Sequence, residues 1–189
     1  GLDGSTASTT ASTVSTICNS AACGMTLTQG ELSLITAGKL TIGDSSSGDM
    51  YIDGITLAHI SGGVTLNSTG SDGSVEFGTT DSTLRLATVN AGNGITLYGN
   101  VMTEQASNFN ADFDANGTGR FAVASGKALA STENKNITII ANDIDFVGTL
   151  SSGTGETTIS ISDGGTIGLG GTSGNMTITD TELGKITAG

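Results

Sequence analysis

The strongest chemical pattern in the chain is Asp112-Phe-Asp114-Ala-Asn116-Gly117-Thr-Gly119, with oxygen-bearing side chains at alternate positions and a glycine after the third. Hard cations take carboxylate and amide oxygens that converge from one tight turn, and this spacing opens a calcium loop. The bidentate glutamate that completes a helix-flanked loop is absent, Val123 standing in that place. The same residues suit a polar turn between Phe109 and Phe121, because Asp and Asn side chains hydrogen-bond nearby backbone. Calcium at Asp112, Asp114 and Asn116 is the one metal or cofactor reading that the sequence offers.

The other reactive groups are sparse. Cys18 and Cys23, the only cysteines, stand at C-x4-C with the small residues Asn19, Ser20, Ala21 and Ala22 between them. In an oxidising compartment they suit a local disulfide, with an intermolecular crosslink or free thiols as the alternatives. Two cysteines make no zinc site without partners, and the single His59 is far away in sequence. Asp143 and Asp145 flank Ile144 and project to one face of a strand, as many solvated pairs do. A glycosidase or lyase needs such carboxylates grouped beside a groove, which nothing here arranges, and the chain reads as non-enzymatic. Glycosylation sequons occur at Asn67, Asn116, Asn136 and Asn175.

Charge narrows the partners. The chain has 18 Asp plus Glu against 6 Lys plus Arg, and the six cations are scattered. Nucleic acids and anionic membrane surfaces need clustered Lys and Arg, so neither is expected as a partner. No apolar run approaches the roughly 20 residues that span a bilayer. The chain starts Gly-Leu-Asp-Gly without a targeting segment, which fits a processed extracellular protein or a piece of a longer one.

The elements that must carry these residues are short strands. Words such as Val64-Thr-Leu66, Val75-Glu-Phe77, Leu84-Arg-Leu86, Ile95-Thr-Leu97, Ile137-Thr-Ile139 and Ile144-Asp-Phe146 read apolar, polar, apolar, which puts two side chains inward and one outward. Leu32-Ser-Leu34, Ile167-Gly-Leu169 and Met176-Thr-Ile178 have the same form. The 30 glycines, with Ser, Asp and Asn, punctuate them; no segment keeps a helical period, and helix content near zero is expected. A sandwich or barrel suits such spacing too. The shortness of the words and the lack of Asn-Gly or Asp-Gly hairpin pairs at each junction favour an all-β parallel β-helix (β-solenoid). With coils of about 20 residues and about 4.8 Å per coil, a repeat unit is a rod some 35 Å long.

The chain also repeats itself. Met25 to Gly38, MTLTQGELSLITAG, returns as Met176 to Gly189, MTITDTELGKITAG, at an offset of 151 residues without a gap. Repeats bury their apolar faces by stacking on neighbours, which makes the protein structural first. Residues 1–24 then form a polar Ser/Thr-rich N-terminal arm with Cys18 and Cys23. Residues 25–189 form the solenoid, one unit plus the start of the next.

The run from Leu32 through Ile55, with ITAGKLTIGDSSSGDMYIDGIT at its heart, and TELGKITAG near the end resemble the repeat words of very large secreted proteins with filamentous-haemagglutinin-like β-strand repeats. Glu31-Leu32, Ile35 to Gly38, Leu40, Ile42-Gly43, Ser47-Gly48, Ile52 and Gly54 to Thr56 carry the resemblance. It implies a right-handed β-helix, secreted and displayed as an adhesin, stalk or appendage, and implies no active site. Three functional classes follow: a subunit or repeat of an extracellular filament that self-associates end to end, an adhesin stalk facing a cell-surface glycan, and a carbohydrate-active β-helix.

Overall fold

A computed structural model describes residues 16–17 and 27–189. They build an all-β parallel solenoid of about five turns, in which three sheets run side by side along the axis. Strands and helices are numbered in chain order. Sheet A contains β4 (Met50–Asp53), β6 (Val75–Phe77), β9 (Ile95–Leu97), β12 (Arg120–Val123) and β15 (Asp143–Phe146). Sheet B stacks β3 (Leu40–Asp44), β5 (Val64–Ser68), β8 (Ala87–Ala91), β11 (Ser107–Asn110), β14 (Ile137–Ala141) and β17 (Thr157–Ile161). Sheet C stacks β7 (Ser82–Leu84), β10 (Val101–Thr103), β13 (Ala128–Ser131), β16 (Thr149–Ser151) and β20 (Ile186–Thr187).

Register fixes the coil length. Leu40 lies opposite Val64, Val64 opposite Ala87, Asn108 opposite Thr88, Ser107 opposite Ile137, and Ile137 opposite Thr157, so a coil takes between 20 and 30 residues. The sequence expectation of about 20 is met only by the tightest coils. The longest carries the 111–119 loop, which the calcium-like motif occupies. The six strands of sheet B, Leu40 to Ile161, therefore span about 24 Å at the usual spacing, and a 151-residue unit, one coil longer, about 29 Å, short of the 35 Å expected.

The apolar words set the inward phase. Ile42, Leu66, Val89, Phe109 and Ile139 stack as one buried ladder in sheet B, and Val75, Ile95, Phe121 and Ile144 as another in sheet A. Phe121 sits edge-on between Phe109 and Phe146, with ring centroids 5.8 and 6.1 Å apart, the geometry that aromatic quadrupoles favour. Sheet C has weaker words. Its interior includes Ser82, Thr103 and Ser131 beside Val101, Leu129 and Leu150, and these small polar residues give little periodic signal.

Three sequence words behave differently. Leu86 is only half-buried, because β7 ends at Leu84 and the chain turns a corner before β8. Leu34 is 82% exposed, because Leu32-Ser-Leu34 lies in and after a short helix, α1 (Gln29–Ser33). Ile167 and Leu169 face outward around a buried Gly168 in β18 (Ile167–Leu169), the reverse of the expected phase. With the second helix, α2 (Asp180–Leu183), these two short turns are the only helix among the described residues, in keeping with the expected near-zero content. Both start on a reciprocal cap: Thr28 Oγ1 accepts from Glu31 N–H and Glu31 accepts from Thr28 N–H, as Thr179 and Glu182 do.

Corners lack ladder partners, and Asx side chains of adjacent coils supply them. Asp49 accepts from Ser74 N–H, Asp53 from Thr80 N–H, Asp81 from Asn100 N–H, Asn100 from Ala128 N–H, and Asn136 from Glu156 N–H, all at 2.7 to 3.0 Å. Truncating the fully buried Ile139 to alanine is expected to cost about 2 to 5 kcal/mol in urea unfolding, and Leu34→Ala less than about 0.5 kcal/mol. Equal costs at the two positions would show that Ile139 is not in the core.

Candidate functional site: the ends of the solenoid

The residues singled out for chemistry do not converge. Asp112 is buried, and its carboxylate accepts from the N–H groups of Asn116 and Gly117 at 3.1 Å and from the Ser162 hydroxyl at 2.6 Å. Asp114 accepts from the Asn116 amide at 2.8 Å, and Asn116 Oδ1 accepts from the Thr118 N–H and hydroxyl. These oxygens thus hold a loop in which Ala115 takes a φ of 52°, a conformation that a side chain ordinarily avoids. Gly119 closes it so tightly that a side chain there would meet the Ala111 carbonyl. Among the described residues, no group of three or more His, Cys, Asp or Glu is placed to hold a metal ion.

Asp143 and Asp145 share a face and serve different neighbours. Asp145 pairs with Arg120 at 3.1 Å across β12 and β15, both side chains being solvent-exposed. Asp143 accepts from Thr177 N–H at 3.4 Å. His59 is exposed in a turn. Asn116, Asn136 and Asn175 are exposed, whereas Asn67 is half-buried and accepts from the Asn90 amide in a ladder of stacked asparagines. Cys18, Cys23 and most of the N-terminal arm lie outside the described residues.

What the fold does bring together is the machinery of its two ends. At the N-terminal end, β1 (Thr16–Ile17) pairs antiparallel with β4 and with β2 (Leu27–Thr28), against the parallel run of the solenoid. Leu32 of α1 is fully buried, and the Gln29 amide donates to the Thr56 carbonyl and accepts from its N–H at 3.1 and 2.8 Å, as a strand would. At the other end, β18 pairs in parallel with β19 (Met176–Ile178), whose Met176 and Ile178 are buried. The Glu182 carboxylate reaches back to Phe146 N–H at 3.3 Å, which ties α2 to β15. Ile167, Leu169 and Leu183 leave apolar surface exposed at this end. The T-x-x-E signature marked both helical turns in the sequence; the strand-like words around it concealed them.

Sheet B, like its neighbours, ends in strands with one strand partner each. Among the described residues, β3 pairs only with β5 and β17 only with β14, so each presents one backbone edge without a strand partner. Open edges are templates for further pairing.

Hydrogen bonds also set the electrostatics. The Asn100 side chain, and then its N–H, hold the Asp81 carboxyl below the usual range. The Thr28 N–H, and then its hydroxyl, do the same for Glu31. Asp49, followed by Glu76, raises the Tyr51 hydroxyl. No helix among the described residues is long and apolar enough to cross a membrane. No protein-family model, curated protein or solved structure matches the chain.

Two outcomes are expected. Asp112→Ala leaves two N–H groups and a hydroxyl without their acceptor and should lower unfolding stability by about 1 to 3 kcal/mol; a neutral result would mean that the loop does not depend on this carboxylate. Because Glu31 and Asp81 are depressed in the folded state, their contribution is full above the unfolded carboxyl range near pH 4 and fades as pH falls through their folded values. Thermal unfolding temperature should therefore drop on acidification below about pH 4, and less steeply in Asp81→Asn.

Proposed function

We infer that this chain is a non-enzymatic structural repeat of an extracellular filament or surface appendage, whose subunits or repeats stack end to end. The observation that carries this reading is the reuse of one word at both ends. Thr28 with Glu31 and Thr179 with Glu182, 151 positions apart, make the same capping box beside the terminal coils. A fold that rebuilds the same junction after each unit is suited to propagation, since each coil needs only its neighbours.

The sides of the solenoid support a structural role. Several of their carboxylates accept from corner N–H groups and from the 111–119 loop. The resemblance to filamentous-haemagglutinin-like repeats favours secretion and display, with self-association as the principal contact and a cell-surface glycan as the partner of an adhesin stalk. The acidic surface, at a formal net charge of −12, suits solubility at high local concentration.

Negative-stain imaging of the purified chain tests the reading. Long rods of uniform width are expected, and their length should grow with protein concentration. Short particles of one size at every concentration would move the adhesin stalk ahead, and cleavage of an acidic polysaccharide would establish the carbohydrate-active alternative.

A further inference from the structure

We propose that the outer face of sheet B binds ice, its rows of threonine and asparagine side chains adsorbing to the crystal surface. The proposal goes beyond the end-to-end reading and does not rest on it, since one chain by itself carries the face.

Register builds this face. Residues that alternate with the inward ladder point outward, and one outward row runs Thr41, Thr65, Thr88, Asn108, Thr138 and Thr158 from coil to coil. Two residues further along each strand, a second row contains Asn67, Asn90 and Asn110, followed by Ile140 and Ser160. The array repeats about every 4.8 Å between coils and about every 6.6 Å between rows. Both periods are of the order of the oxygen repeats on ice surfaces. The Asn90 amide donates to Asn67 Oδ1 at 2.8 Å, which holds the second row in place. Each threonine presents a hydroxyl that can donate and accept, and a methyl group that restricts the water beside it.

The chemistry of the face selects its occupant. None of these outward positions is charged, although the chain carries 18 Asp plus Glu and 6 Lys plus Arg. Sheet A, by contrast, turns Glu76, Arg120, Asp143 and Asp145 outward, and the outer row of sheet C, Thr83, Met102, Ala130 and Ser151, has no single chemical kind. An ionic ligand finds nothing to pair with on sheet B. An apolar partner would leave the hydroxyls and amides unpaired, at about 1 to 3 kcal/mol each, and no aromatic ring lies in these rows for a sugar to stack on. A second copy is disfavoured by area. Six strands by five residues give a face of about 24 by 16 Å, or roughly 400 Å², half of the ~800 Å² that each partner contributes to a stable interface. Thr65 points to a ligand independently. It projects outward between Val64 and Leu66, with Thr41 and Thr88 on either side, yet is only 9% exposed, and its hydroxyl oxygen has no hydrogen-bond partner among the described residues. Buried hydroxyls ordinarily have one. Rotation to a neighbouring staggered position turns this hydroxyl to water held at a lattice site on the face.

Nanolitre osmometry and ice-recrystallisation assays on the full chain, with ice itself as the probe, test this. The parent should hold the freezing point below the melting point, shape growing crystals and keep them small. Thr88→Tyr and Thr138→Tyr, which put a ring in the middle of the array, should lower these effects severalfold. Thr158→Tyr, on an exposed residue where folding is not at issue, should do the same. The identical change at Thr96, outward in sheet A between Glu76 and Ala122, should leave them unchanged. Thermal unfolding identifies the variants that keep the parent's fold, and the comparison is made among those. A parent without effect on ice overturns the proposal, and its retention on crystalline cellulose would then assign the face to a polysaccharide. Equal loss at Thr96 and Thr158, or no loss at any sheet B position, overturns it too. The end-to-end reading survives each of these outcomes.

Discussion

Every coil of this molecule depends on the next one for its backbone hydrogen bonds. The strands stacked along sheets A, B and C pair from coil to coil, so each N–H and C=O of those ladders finds its partner about 4.8 Å along the axis. The side chains follow from that constraint. An inward residue meets its registered counterpart above and below, which is why the sheet B core stacks Ile42, Leu66, Val89, Phe109 and Ile139 in one line. At the corners, where ladders stop, Asp and Asn replace the missing carbonyls of the neighbouring coil.

The interior accommodates differences in coil length without losing register. The longest coil diverts its extra residues into the 111–119 loop, where Asp112 gathers the loose N–H groups and the Ser162 hydroxyl from two coils further on. Phe109 and Phe121 flank this excursion and pack edge to face in the core beneath it. In the motif that suggested calcium, side-chain oxygens of Asp112, Asp114 and Asn116 accept from protein donors.

Much of the fold was readable in the sequence, for a simple reason. Alternation is visible where inward residues are apolar, as in Val75-Glu-Phe77 and Ile144-Asp-Phe146, and those words keep their phase in the structure. Sheet C escaped notice because Ser82, Thr103 and Ser131 face inward and look like turn residues. Leu32-Ser-Leu34 misled for the opposite reason, since a capping box overrides the alternation and leaves Leu34 in solvent. The outward Ile167 and Leu169 could not be foreseen from periodicity, because Gly168 faces inward without a side chain to announce it. The open edges of sheet B depend on which strands lack neighbours, and a linear sequence does not display that.

The direction of the ladder hydrogen bonds has a mechanical consequence. They lie along the axis of the solenoid, so force applied to the end of the polypeptide strips one coil from the next and breaks the bonds in succession. Force spread over a whole cross-section instead strains sheets A, B and C together, and no coil can leave before the bonds of all three sheets have failed. Resistance to pulling therefore depends less on how many coils there are than on whether the attachment grips an end of the chain or the full face of a coil.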